Sequence, residues 1–138
     1  MGKILVIKEA GFSQVAVKTV TISDVILSKK LTPVILNGLS IGTNGAVGPV
    51  SGWALYYVPI IVGKTYHLQI EWSSKHYQRV GTSSATPVSG SSLTMLVNQV
   101  NTAESVATLD YTYKAELNGY LAWQMHVEDT ISCSIIES

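Results

Sequence analysis

The fold of this chain is decided by residues 52–72, G-W-A-L-Y-Y-V-P-I-I-V-G-K-T-Y-H-L-Q-I-E-W. Two apolar runs flank the breaker Val62-Gly63-Lys64, which reads as the tight connection of a central hairpin. After the breaker the alternation has a period of two. Tyr66, Leu68, Ile70 and Trp72 share one face, and Thr65, His67, Gln69 and Glu71 share the other. Such a strand turns one face to a core and the other to water or a ligand.

Towards the C-terminus the same pattern recurs. Leu109, Tyr111 and Tyr113 alternate with Thr108, Asp110 and Thr112. Asn118-Gly119 is a second hairpin dipeptide, and it leads into Leu121, Trp123, Met125 and Val127, which alternate with Ala122, Gln124, His126 and Glu128. Asp129-Thr130 turns the chain into a last strand, where Ile131, Cys133 and Ile135 share a face. Residues 93–100 read as a strand or a short helix.

Towards the N-terminus, residues 3–8 read as a short strand, and 15–27 as one bent strand or two. In 29–49 the breakers Asn37-Gly38, Gly42, Asn44-Gly45 and Gly48-Pro49 suggest one short strand, 34–36, followed by a long surface loop. Residues 73–92 are rich in Ser, Thr, Gly and Pro and read as a loop on a β scaffold. The expectation is a single all-β domain over 1–138, with about eight or nine antiparallel strands and at most one short helix, arranged as a sandwich or barrel.

Composition narrows the function. Nine basic and nine acidic side chains cancel, so no electrostatic footprint for nucleic acid is visible. Charged residues are only 13% of the chain, which leaves little repulsion between copies and makes an oligomer the expectation. The run Ile4–Ile7 is closed at once by Lys8 and Glu9, too short for a signal peptide, and Val6 stands where a myristoylation signal needs Ser or Thr. No run has the length of a membrane span. The single cysteine, Cys133, excludes an intrachain disulfide and reads as a buried, inert thiol.

The catalytic search is almost empty. His67, His76 and His126 form no pair at ligand spacing, so a metal site would have to be assembled by the fold, and neither metal nor cofactor is expected. Nucleophile-elbow, phosphate-loop and dinucleotide motifs are missing from the sequence. Glu71, Asp110 and Glu128 sit on polar strand faces, where solvation explains them; a glycosidase pair would need two facing across a cleft. The reading is not an enzyme.

Aromatic residues say more. Three Trp and seven Tyr against one Phe mean that nearly every ring carries a polar handle. Rings of that kind suit the apolar faces and hydroxyl rims of sugars, and equally a protein interface or a core. Tyr66, Trp72, Tyr111, Tyr113 and Trp123 share faces with aliphatic residues and are assigned to the core. The candidate ligand contacts are the rings and polar groups near breaks: Trp53, Tyr56, Tyr57, His76, Tyr77, Arg79 and Tyr120.

The opening I-L-V-I-K-E-A-G-F-S-Q-V-A-V, with Ala10, Phe12, Ser13, Ala16 and Val17, resembles the start of small β-sandwich proteins common in gut Bacteroides genomes and their prophages. The segment Y-V-P-I-x-x-G-K-T-Y, Tyr57 to Tyr66, is similar to a hairpin of the same group and to hairpins of carbohydrate-binding jelly rolls. Asn118 to Ala122 resembles a strand near the end of such domains. Gly11 departs from the Asp or Asn usual at its position. The resemblance implies a jelly-roll β-sandwich and a glycan-binding or phage-adhesin role, displayed on a virion or outside a cell after synthesis in the cytoplasm. A structural or assembly subunit of such a particle, without a small ligand, is the alternative.

Overall fold

The computed structural model describes residues 28–73, 75–100 and 105–138. The strand readings at 3–8 and 15–27 lie outside them. Among the described residues there are nine strands and no helix: β1 (Lys29–Lys30), β2 (Val34–Ile41), β3 (Val47–Ile60), β4 (Thr65–Ser73), β5 (Gln78–Ser83), β6 (Thr94–Val100), β7 (Val106–Lys114), β8 (Gly119–His126) and β9 (Thr130–Glu137). They form two antiparallel sheets, ordered β1-β9-β4-β7 and β2-β3-β8-β5-β6. With β2 set aside as an added edge strand, these orders are those of an eight-stranded jelly roll.

Alternation sorts the side chains as the sequence predicts. Tyr66, Leu68, Ile70 and Trp72 of β4 are buried between the sheets, where they meet Val58 and Ile60 of β3, Leu121, Trp123 and Met125 of β8, and Ile135 of β9. Each buried side chain of this size contributes about 1.5–3 kcal/mol of transfer free energy. Tyr113 is buried and Tyr111 half-buried, as the sequence reading places them, but Ile131, at the start of β9, is exposed. Residues 93–100 resolve as strand, not helix.

Three expectations are corrected. The breaker at Val62-Gly63-Lys64 does not make a hairpin, because β3 pairs with β2 and β8 whereas β4 pairs with β7 and β9. It is a corner between sheets. The Tyr66 hydroxyl braces it by accepting from Ile61 N (2.8 Å) and donating to Glu137 Oε2 (2.9 Å). Asn118-Gly119 is likewise a corner, between β7 and β8, with Asn118 Oδ1 accepting from Val62 N at 2.9 Å. Alternation specifies which side of a strand is apolar and is silent on which strand lies beside it.

The expected loops also contain strands. Residues 29–49 hold β2 and the start of β3, paired from Val34↔Tyr57 to Ile41↔Val47. The far end of this pair covers the outer face of the five-stranded sheet, and Ile41, Val47, Leu55, Leu93 and Ala122 make a second small core there. Residues 73–92 hold β5, whose buried Gln78 and Thr82 disguise it as surface.

β8 is therefore covered on both faces, and its one polar buried residue must be satisfied. Gln124 Oε1 accepts from Ile41 N at 2.8 Å, and Gln124 Nε2 donates to Tyr77 O at 2.9 Å. The β2–β3 turn is fastened at Gly45, whose O accepts from Leu93 N at 2.9 Å. Gly45 has φ +92°, and a Cβ there would lie 2.2 Å from Leu93 O. Gly38 has φ +81° but open space around it. Strain at a left-handed position costs about 1–3 kcal/mol. Gly38→Ala is thus expected to cost about 1 kcal/mol and Gly45→Ala distinctly more, read as the difference in urea midpoint at constant slope.

Candidate functional site

Two polar regions stand out, and they differ in character. The first is the outer face of the four-stranded sheet. Pairing places Asp110, Gln69 and Ser134 in one row across β7, β4 and β9, and Thr108, Glu71 and Ser132 in the next. These six side chains floor an open groove of about 580 Å³, with Lys30 at its β1 side. Neighbouring strands lie about 4.8 Å apart, so the groove presents a regular grid of hydroxyl, amide and carboxylate groups. The polar phase of residues 65–71 was its signal in the sequence, yet none of the seven candidate contacts lies here.

Within the groove Asp110 accepts from Gln69 Nε2 (3.4 Å) and is in close contact with His67 Nε2. The hydrogen bond to His67 holds the Asp110 carboxyl below its usual value. Glu71 and Asp110 stand on one sheet face and not on opposing walls, so they do not form the facing pair that glycoside hydrolysis needs.

The second region is at the strand ends. In β3, Ala54 and Pro49 are five residues apart but face Asn37 and Leu39 of β2, which are two apart, so the chain bulges between them. The bulge contains Gly52, at φ +89°, and Trp53, which pairs across to His126 of β8. The Trp53 ring meets His126 and His76 edge-on, with centroids 5.1 and 5.2 Å away. The two imidazoles stack at 3.9 Å with planes 9° apart. Asp129, in the turn after β8, brings Oδ2 into contact with His76 Nδ1 and to 3.5 Å from His126 Nδ1.

Backbone contacts fix all three donors. Ser73 N donates to Asp129 O at 2.8 Å, Asp129 N to His126 O at 3.1 Å, and Trp72 Nε1 to His76 O at 2.8 Å. His76 Nδ1 and Asp129 Oδ2 touch without the geometry of a hydrogen bond, and both are buried with no such partner. Leaving a buried polar atom unpaired costs about 1–3 kcal/mol. Spacing in the sequence gives no hint of this trio beyond the three-residue step from His126 to Asp129.

The other candidate contacts scatter. Tyr56 faces the main core against Trp123, at 6.0 Å. Tyr57 and Tyr120 meet edge-on at 5.5 Å on the opposite face of β3 and β8, with Thr86 Oγ1 donating to the Tyr120 hydroxyl at 3.1 Å. Tyr77 is exposed, and the Arg79 guanidinium lies 5.8 Å from its ring centre. Arg79 also donates to Ile41 O (2.9 Å) and Asn98 O (3.2 Å), a strut between β2, β5 and β6. Of the seven, Trp53 groups with His76, Tyr57 with Tyr120, and Tyr77 with Arg79, and the three pairs do not form one site. Cys133 is half-buried on the inner face of β9; burial pushes its thiol up to about 11, against a smaller opposing effect of the Trp123 indole N–H.

No protein-family model, curated protein or solved structure matches this chain.

The groove carboxylate gives a pH test. Because the folded pKa of Asp110 is depressed, its contribution to stability is present above the unfolded value and lost as pH falls through the folded one. A carbon-detected NMR titration is expected to place Asp110 below its ordinary 3.8, and His67→Ala to return it upward.

Proposed function

We infer that this chain is a non-catalytic binding module and that its ligand is carbohydrate. The observation that carries the reading is the polar grid on the outer face of β7, β4 and β9, where six hydroxyl, amide and carboxylate side chains line one open groove. Sugars present many hydroxyls that both donate and accept, and a strand array holds the backbone of complementary groups at fixed spacing, which lowers the ordering cost of binding. Asp110 is an anion at neutral pH and accepts only, while Gln69 both donates and accepts. The jelly-roll architecture is compatible with such a role, although fold alone does not assign one.

A second reading, a structural or assembly subunit, is favoured by a different observation. Val34 and Ile35 are nearly half exposed on β2, which is the outer strand of its sheet among the described residues. An apolar edge of this kind is a template for pairing with another chain.

The readings separate on the purified protein. On a glycan array, saturable binding to a defined sugar is expected, lost in Gln69→Ala and Glu71→Ala with the fold retained by circular dichroism. Loss in Trp53→Ala or Tyr57→Ala instead would move the site to the strand-end or β3–β8 aromatics. A stable oligomer by light scattering that binds no sugar and dissociates in Ile35→Lys would replace the carbohydrate reading with the assembly one.

A further inference from the structure

We propose that His76, His126 and Asp129 form a binding site for a borderline divalent cation, with zinc as the ion that fits the donor set. Their donor atoms all lie within 4.8 Å of one another. Bonds of about 2.0–2.2 Å to one ion need small shifts of these side chains, with His76 Nδ1 and Asp129 Oδ2 moving apart to admit it. Two imidazoles and one carboxylate suit zinc and its neighbours, whereas calcium and magnesium select oxygen ligands.

The state of the donor atoms points to a ligand. His76 Nδ1 and Asp129 Oδ2 are buried and aimed at each other, yet neither has a hydrogen-bond partner. They are in direct contact, so a bound ion would part them and supply the partner that each lacks. Glu128 N–H points at His126 Nδ1 from 3.4 Å, a long contact that an ion at this nitrogen would displace. His126 Nε2 is turned towards Gly52, where a Cβ would come to 3.4 Å.

The frame is built before any ion arrives. His126 ends β8, Asp129 lies in the turn that leads to β9, and His76 lies between β4 and β5. The hydrogen bond from Ser73 to Asp129 and that from Trp72 to His76 tie those segments to the end of β4. Trp53 walls both rings on one side. Each imidazole is partly open, with 31% and 18% of the side chain of His76 and His126 exposed, so the cluster lies near the surface. Imidazole lone pairs lie in the ring plane, so the stacked rings must open beyond their 9° angle on binding.

The experiment is isothermal titration of zinc into the full chain, beside cobalt substitution read by visible absorption. One zinc per chain and an intense cobalt band, displaced by zinc, are expected. Asp129→Asn and His126→Ala are expected to weaken binding by roughly tenfold or more, as supporting groups alone give 10–100-fold. His67→Ala removes the remaining histidine and is expected to leave binding unchanged. Should His126→Ala fail to fold, Asp129→Asn, of the same shape, still carries the test. Absence of heat and of a cobalt band at millimolar metal would overturn the site. So would binding that survives Asp129→Asn or disappears in His67→Ala. A loss of thermal stability in the variants, with no metal bound by the parent chain, would assign the trio a purely structural role.

Discussion

The amide of Gln124 holds together what the two sheets alone would leave apart. β8 is apolar on its core face, and on its other face the overhanging β2–β3 pair seals it from water. A buried amide with four hydrogen-bonding positions is tolerable there only if the surrounding backbone supplies partners. It bonds to Ile41 N in the overhang and to Tyr77 O in the β4–β5 connection. Tyr77 adjoins His76, so the contact that closes the second core also sets where one imidazole stands. Arg79, at the start of β5, repeats the device by binding Ile41 O. Removing either side chain leaves buried backbone groups unpaired, and the damage would extend to both ends of the strut.

The fold was legible where apolar residues alternate along a strand. β4, β7 and β8 show period two, and each places its apolar phase between the sheets. Partners were not legible. Gly63 and Gly119 mark chain reversals correctly, but the reversals pass between sheets, and nothing local distinguishes a corner from a hairpin. β5 was hidden because Gln78 and Thr82 are polar and buried, a combination made possible by neighbours far away in sequence. The overhang was hidden by its glycines, which serve tight pairing and not a loose loop.

Candidate sites were less legible for the same reason. The grid on β7, β4 and β9 is a product of register: a shift of one residue in either pairing would turn its rows inward. The histidine cluster depends on the meeting of three segments distant in sequence, contributed by residues 53, 76 and 126–129. The sequence singled out Trp53 and His76, which the structure brings into one cluster. It could not reveal that Arg79 is engaged with backbone carbonyls or that Tyr56 faces the core.

The bulge that carries Trp53 also gives the molecule an optical asymmetry. Of the three tryptophans, Trp72 and Trp123 are buried between the sheets, and Trp53 alone rests against two imidazoles. Indole emission is quenched by charge transfer to a nearby electron-poor ring, and an imidazole becomes such a ring once it carries positive charge. The quantum yield of Trp53 therefore follows the electronic state of His76 and His126, while the two core indoles supply a steady background. The chain contains its own fluorophore at the place where its histidines meet.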